Sequence, residues 1–288
     1  MKKIQITEND ANQRIDKYIK KLLVNAPTNF IYKMFRKKDI KVNGKKVNEK
    51  YILKNNDVVE MFLYEDKFKE FTATKDIYNV KKTFKVLYED NHVLIVYKPA
   101  GLLVHEDKNE SVNTLTNQVL SYLANKSELD LSRENTFMPG PVHRLDRNTS
   151  GIVIFGKTLA ALQVLNEMIK QRHCIEKSYL TICKGKVNQK RNLKGYIVKL
   201  DDQAQVKLVS KDYPGALTME TIVKPVKYNN DYSKVEVTLI TGRMHQIRVH
   251  LSSIDHPIIG DRKYGDFELN KFVKKEFGLN HQLLHAYK

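Results

Sequence analysis

The stretch 141-PVHRLDRNTSG-151, which runs directly into 152-IVIF-155, sets a histidine, two arginines and an aspartate in five successive positions ahead of a short apolar strand. Thr149-Ser150-Gly151 is turn chemistry, so the charged cluster belongs to a loop feeding a sheet. Working outward, short strands dominate on both sides: 84-FKVLY-88 and 93-VLIVY-97 before it, and 179-YLTIC-183, 205-QVKLV-209, 217-LTMETIV-223 and 235-VEVTLI-240 after it. Lys98-Pro99-Ala100-Gly101 must leave the sheet, because proline cannot continue a ladder. Helical periodicity interrupts at two places. Leu162, Leu165, Met168 and Ile169 make an inward stripe over 159–170, and Met244, Ile247, Leu251 and Ile254 make another after Thr241-Gly242. Strands broken irregularly by helices, without a βαβ repeat, predict an α+β domain with a mostly antiparallel mixed sheet and flanking helices.

The N-terminal quarter reads differently. Ile15, Tyr18, Ile19, Leu22 and Leu23 recur with the period of an amphipathic helix, with Lys17, Lys20 and Lys21 off the stripe. Pro27-Thr28 opens a second helix that turns Ile31, Met34 and Phe35 inward and ends in Arg36, Lys37 and Lys38. The segment from Ile40 to Val47 then reads as a hairpin, since Asn43-Gly44 tolerates the positive φ angles of a type I′ turn, and 58-VVEMF-62 closes the unit. Two short helices, a basic edge and an Asn-Gly hairpin resemble the S4 RNA-binding module (the αL motif), which would set those lysines and Arg36 against phosphates. A solvated helical cap is the bland alternative. The expected organisation is an S4-like domain over 1–64, a linker over 65–82 with little periodicity, and the larger α+β domain over 83–288.

Composition narrows the function classes. The chain has 288 residues, with 50 Lys+Arg against 33 Asp+Glu and a net charge of +17, which points to a polyanionic partner. Residues 1–64 hold 15 Lys+Arg and 7 Asp+Glu, so +8 of that excess lies in less than a quarter of the chain. No run of 18 apolar residues occurs and MKKIQITENDANQR lacks the apolar core of a signal peptide, so a cytoplasmic protein without membrane association is expected. Cys174 and Cys183 match neither a CxxC pair nor a zinc knuckle, and His245 and His250 are five apart rather than at helical ligand spacing. No metal is expected. Neither GxxxxGK[ST] nor GxGxxG nor GxSxG occurs, and His143-Arg144-Leu145-Asp146 lacks the companions of a kinase catalytic loop.

What remains is Asp146 acting without a cofactor. The next carboxylate is Glu167, which disfavours the paired carboxylates of a glycosidase. An aspartate beside guanidinium groups stays ionised and suits a nucleophile or cation stabiliser at a sugar carbon. Spacing alone leaves open a structural ion pair or a turn cap.

The string 143-HRLDRNTSG-151 resembles the HRLDxxTSG signature of the RluA-type pseudouridine synthases. Three further stretches match in the family's order: 98-KPAGLLVH-105, 177-KSYLTICKG-185 and 242-GRMHQIRVHL-251. With the S4-like module, 256-HPIIGDRKYGD-266 and 279-LNHQLLHA-286 resemble the branch acting on large-subunit ribosomal RNA, its C-type members most. The resemblance implies the pseudouridine synthase fold and a cofactor-free isomerisation in which uracil leaves C1′, turns and rejoins through C5. By the same resemblance Asp146 is the essential residue, at C1′ or by Michael addition at C6. Arg248 pairs with it, and Tyr179 stacks on the base and removes the C5 proton. Arg144 enters the RNA stack when the uridine flips out, Lys98 contacts phosphate or the loop, and His143, counted with these RNA-side residues, shapes the loop. Arg248 lies three and four residues beyond His245 and Met244, which on a helix would turn it inward. Met244 departs from the family's threonine, and the chain is expected to lack the last C-terminal segment of its relatives. The implied partner is large-subunit rRNA and the expected state a monomer. The rivals are the same chemistry on tRNA and a non-catalytic RNA-binding assembly factor.

Overall fold

A computed structural model describes residues 1–72, 79–129, 136–171, 174–200 and 205–288. The N-terminal unit is built from β1 (Lys2–Gln5), α1 (Ile15–Leu22), α2 (Thr28–Lys37), β2 (Ile40–Val42), β3 (Lys45–Lys46), β4 (Val58–Met61) and α3 (Glu65–Phe71). Its sheet has the order β1-β4-β2-β3. Ile15, Tyr18 and Ile19 of α1 and Ile31, Met34 and Phe35 of α2 are buried against Ile40, Val59 and Met61, as the periodicity predicts. Asn43 and Gly44 both take positive φ, 51° and 75°, the signature of a type I′ turn. Lys38 ends α2 in the left-handed conformation, its amide returning to the carbonyls of Met34 and Phe35.

The segment read as a linker begins otherwise. It opens with α3, and Phe71 is buried with its ring centroid 5.0 Å from that of Phe30, so this helix belongs to the N-terminal core. The pair Phe68 and Phe71, three apart, supplies an apolar face that the surrounding charges concealed. Residues 73–78 of the expected linker lie outside the described residues.

The larger unit contains β5 (Lys85–Glu89), β6 (Val93–Lys98), α4 (Leu115–Asn125), β7 (Gly140–Pro141), β8 (Ser150–Gly156), α5 (Leu159–Lys170), β9 (Ser178–Lys184) and β10 (Arg191–Leu200). It continues with β11 (Gln205–Val209), β12 (Leu217–Tyr228), β13 (Tyr232–Leu239), α6 (Gln246–Ser252), α7 (Phe267–Phe277) and β14 (Leu284–Ala286). One ten-stranded sheet runs β11-β10-β12-β13-β9-β14-β8-β6-β5, with β7 on β8. Its pairings are antiparallel except β14 with β8. Leu94, Val96, Val153, Phe155, Val235 and Val237 are fully buried, each such side chain contributing about 1.5–3 kcal/mol.

Two helical expectations are revised. Leu162, Leu165, Met168 and Ile169 of α5 are only half-buried, and Leu159 is the residue of that helix that enters the core. The helix lies against Gly156, where a Cβ would meet Leu162 Cα at 2.8 Å, so the backbones approach before the stripe is covered. The second helix starts at Gln246, two residues beyond Met244, and is buried all round. Its polar members have partners: Gln246 reaches the Thr241 and Thr221 hydroxyls and the Glu220 carbonyl, and His250 Nδ1 lies 2.8 Å from the Thr221 hydroxyl.

One register row organises the middle of the sheet. Lys98 pairs with Gly151, Gly151 with Ala286, Ala286 with Tyr179, and Tyr179 with Val237. Residues opposite one another across strands share a face, so segments scattered over the chain meet along this line. A separate contact joins the two units, where the buried carboxylate of Asp10 accepts from the Thr136 hydroxyl at 2.5 Å and its amide at 3.2 Å.

Candidate active site

The loop carrying Asp146 enters β8 through Gly151, whose φ is +128° and whose missing Cβ makes room for Ala286. A Cβ there would collide with the Ala286 carbonyl and amide. Leu145 is buried and anchors the loop, while the Asp146 side chain keeps 29% of its surface exposed. From the other side the loop is clamped by the end of β6 and the segment that follows it. Lys98 Nζ donates to the carbonyls of Pro99 at 2.9 Å, Leu102 at 2.7 Å and Arg147 at 3.0 Å, and the Gly101 amide also donates to Arg147 O, at 2.9 Å. Burial pushes Lys98 down to about 7, opposed by the Asp146 carboxylate. Three acceptors around one nitrogen need three protons, so the clamp as built is an ammonium.

Arg248 reaches the loop from α6, 102 residues away in sequence. Its Nη1 donates to Asp146 Oδ2 at 2.9 Å. The other edge of the guanidinium is occupied by Asp261, with Nε to Oδ2 at 2.7 Å and Nη2 to Oδ1 at 2.8 Å. Asp261 is 1% exposed and also accepts from the amides of Lys263 at 2.9 Å and Tyr264 at 3.2 Å. Burial works to raise its pKa, but the Arg248 ion pair and these amides outweigh it and hold the carboxyl below the ordinary value. For Arg248 burial acts to lower the pKa, and the two carboxylates more than reverse it.

His245 precedes α6 in the left-handed conformation, φ 54°, and its Nε2 stands 3.7 Å from Asp146 Oδ2. Its Nδ1 lies 2.9 Å from the Tyr264 hydroxyl, which accepts the Val206 amide at 2.9 Å. Burial, aided by Arg248 and Lys263 against the Asp146 carboxylate, lowers the imidazole to about 4, so it is neutral near pH 7. The Tyr264 ring underlies the guanidinium of Arg248, 5.1 Å from its Cζ.

Tyr179 is 8% exposed on β9. Its hydroxyl is held neutral by burial first and by the Asp146 carboxylate second, both of which raise its pKa well above the phenol's usual 10.0. Among the described residues that hydroxyl has no hydrogen-bond partner. The site therefore offers a part-exposed carboxylate gripped by a buried arginine, beside a buried phenol.

The residues expected on the RNA side divide. Arg144 is exposed, and Arg147 pairs with Asp107 at 3.2 Å. Lys98 was expected to face RNA or the loop. It is 0% exposed and faces only the loop, because the strand's alternation points it inward. His143 is half-buried and engaged with β8: its Nε2 accepts the Ile154 amide at 3.3 Å, and burial lowers it to about 4. Lys17, Lys21, Arg36, Lys37 and Lys38 are exposed on α1 and α2. Lys20, half-buried, lies 4.5 Å over the Tyr32 ring and joins the two basic faces. Met244 and His245 lie outside the helix, so helical spacing from them does not set the direction of Arg248; the arginine is nevertheless 5% exposed and turned onto Asp146. The sequence reading missed Asp261, Tyr264 and His245. The signal was present in 260-GDRKYG-265, since Gly260 and Gly265 bracket a turn too tight for side chains. Among the described residues no group of three or more His, Cys, Asp or Glu is placed to hold a metal ion. His281 and His285, four apart, lie on a turn and on β14 rather than on one helix.

Comparison with known proteins identifies the family. Residues 92–253 match the family model described as RNA pseudouridylate synthase, and residues 13–59 match the S4 domain. The chain is 38% identical over 269 residues to an uncharacterized RNA pseudouridine synthase of Mycoplasma capricolum subsp. capricolum, covering 92% of this chain and 85% of that one. It is 33% identical over 290 residues to the ribosomal large subunit pseudouridine synthase C of Buchnera aphidicola subsp. Baizongia pistaciae, covering 98% and 87%. Among solved structures, human RNA pseudouridylate synthase domain containing 4 superposes with a TM-score of 0.54 at 26% identity, over 70% of this chain and 81% of that one.

Proposed function

Because the chain belongs to the RNA pseudouridylate synthase family, whose members isomerise uridine to pseudouridine, we propose that it acts on large-subunit ribosomal RNA through Asp146, Arg248 and Tyr179. In the reaction the bond from C1′ to N1 breaks, a bond from C1′ to C5 forms, C5 loses a proton and N1 gains one. Atoms and electrons balance within one nucleotide, and no oxidant is needed. The observation that carries the assignment is the contact of Asp146 Oδ2 with Arg248 Nη1 at 2.9 Å, beside the buried Tyr179. Arg248 orients the carboxylate toward the open side of the site. When Asp146 bonds to carbon or takes up a proton, its charge disappears. One of the two causes that keep Tyr179 protonated goes with it, so the phenol ionises more readily: its proton passes to N1 and the resulting phenolate takes the proton that C5 loses, which leaves Tyr179 as it began.

The ribosomal substrate is supported by the name of the Buchnera relative and by the S4 module. The exposed basic faces of α1 and α2, with Lys45, Lys46 and Lys50 around a groove beside the hairpin, would neutralise phosphates while the catalytic loop receives a flipped uridine. Among the described residues no helix is long and apolar enough to cross a membrane, and a cytoplasmic, monomeric enzyme is the state that suits this substrate.

The test is tritium release from 5-tritiated uridine in large-subunit rRNA, against a tritiated tRNA control and the Asp146→Asn variant. Release from rRNA that disappears in Asp146→Asn is expected. Release from tRNA alone would move the substrate, and no release from either RNA would favour a binding factor.

A further inference from the structure

Arg248 is held at both ends by carboxylates of different kinds. Asp146 is partly exposed and touches one nitrogen, whereas Asp261 is buried and engages the Nε–Nη2 edge in a two-point contact. A two-point contact fixes the plane of a guanidinium, which a single hydrogen bond does not. Asp261 is itself immobilised by the Lys263 and Tyr264 amides, and the carbonyl of the same residue accepts from Asn270 Nδ2 at 2.7 Å. Asn270 also receives the Gly260 amide at 2.7 Å, so α7 locks the turn that presents Asp261.

The same turn controls His245. The Val206 amide already donates to the Tyr264 oxygen, so the arrangement that gives every donor an acceptor has the Tyr264 O–H donating to His245 Nδ1. The ring proton then sits on Nε2, the nitrogen 3.7 Å from Asp146 Oδ2.

We propose that Asp261 and Tyr264, on the turn between α6 and α7, are positioning residues for the isomerisation. Asp261 fixes the plane of Arg248 so that its Nη1 donates to Oδ2 of Asp146 at 2.9 Å, and Tyr264 fixes the tautomer of His245 so that its Nε2–H, and not a lone pair, faces the same oxygen from 3.7 Å. Among the described residues no hydrogen bond reaches Oδ1, which is the atom left to work at the ribose. This deepens the proposed function and rests on Asp146 being the reacting carboxylate.

The experiment compares single-turnover tritium release, KM and RNA affinity for the wild type, Asp261→Asn, Tyr264→Phe, His245→Asn and the Tyr264→Phe/His245→Asn double variant. Asparagine tolerates the left-handed backbone at 245, and phenylalanine keeps the ring beneath Arg248. Tyr264→Phe and His245→Asn should each slow release about 10-fold with KM and RNA affinity unchanged, the loss of one oriented N–H dipole facing the reacting carboxylate. The double variant should be no slower than the slower single, because the hydroxyl acts only through the imidazole. Asp261→Asn should slow release about 100-fold, the effect of a misplaced catalytic group. If that variant does not fold, the Tyr264 and His245 pair decides alone. Wild-type rates in both, or additive losses in the double variant, would overturn the proposal. A wild type that releases no tritium would instead sink the functional reading beneath it.

Discussion

Gly151 and Tyr179 lie in one cross-strand row, separated only by Ala286, which pairs with both. Gly151 closes the loop that carries Asp146, and Tyr179 carries the phenol. The separation between the end of that loop and the tyrosine is thus set by two strand spacings of about 4.8 Å each. β14 performs this by pairing parallel to β8 and antiparallel to β9.

Replacing Gly151 by alanine should therefore wreck the fold. The new Cβ would strike backbone atoms of Ala286, which have no side-chain freedom with which to move aside. A destabilisation of at least about 4 kcal/mol is expected in urea unfolding. Gly44→Ala is the control. Nothing lies within 4 Å of its Cβ, so only the φ of +75° resists, at about 1 kcal/mol and with unchanged tritium release.

Tyr179→Phe keeps the ring in the core and removes a hydroxyl that hydrogen-bonds to no described residue. Stability should hold, while kcat falls about 100-fold or more at constant KM, the usual contribution of a proton-transfer group. A variant as fast as the wild type would remove the phenol from the chemistry.

Lys98→Met separates the clamp from an RNA contact. It strips the carbonyls of Leu102 and Arg147 of a charged donor, which should cost about 2–4 kcal/mol of stability. Because Lys98 is 0% exposed, the salt dependence of RNA binding should not change. A flatter salt slope would return this lysine to the RNA side.

Lys20→Gln, Lys21→Gln, Lys37→Gln and Lys38→Asn together test the basic faces of α1 and α2. Asparagine is chosen at 38 because that residue caps α2 at φ 61°. The slope of log affinity against log salt should flatten by about 0.7–0.9 for each phosphate no longer neutralised, with the rate on saturating RNA nearly intact. An unchanged slope would detach RNA binding from this module.

Acid should unfold the protein through its buried imidazoles. His143, His245 and His250 are each lowered from 6.5 to about 4, by burial first. Between those pH values the unfolded chain binds more protons than the native one, so stability is full above 6.5 and declines as pH falls toward 4. For His250, only 2% exposed, the displacement corresponds to about 3 kcal/mol at 1.36 kcal/mol per pH unit. Urea midpoints measured at pH 7 and pH 4.5 should separate, and the gap should narrow in His250→Phe.

Much of this was legible locally. The Asn43-Gly44 hairpin, the stripes of α1 and α2 and the strands flanking Asp146 follow from turn chemistry and period, which act over a few residues. α4, β10 and α7 escaped for reasons of the same kind. In 191-RNLKGYIVKL-200 lysine and glycine interrupt the apolar pattern, and the strand is held by neighbours on both sides, β11 and β12, rather than by its own propensity. The direction of Lys98 was equally invisible, since a lysine that ends a strand reads alike whether it faces water or three carbonyls.

By itself the sequence determined the family and the basic N-terminal module, and it singled out Asp146, Arg248 and Tyr179 as the proposed reacting carboxylate and its companions, because those depend on residue type and on ordered motifs. Only the tertiary structure decided that Asp261 grips Arg248 from behind, that Tyr264 sets the imidazole of His245, and that Lys98 clamps a loop. These are contacts between segments far apart in the chain, such as the 102 residues between Asp146 and Arg248. Long-range geometry of that kind comes from sheet register and burial, which no local pattern encodes.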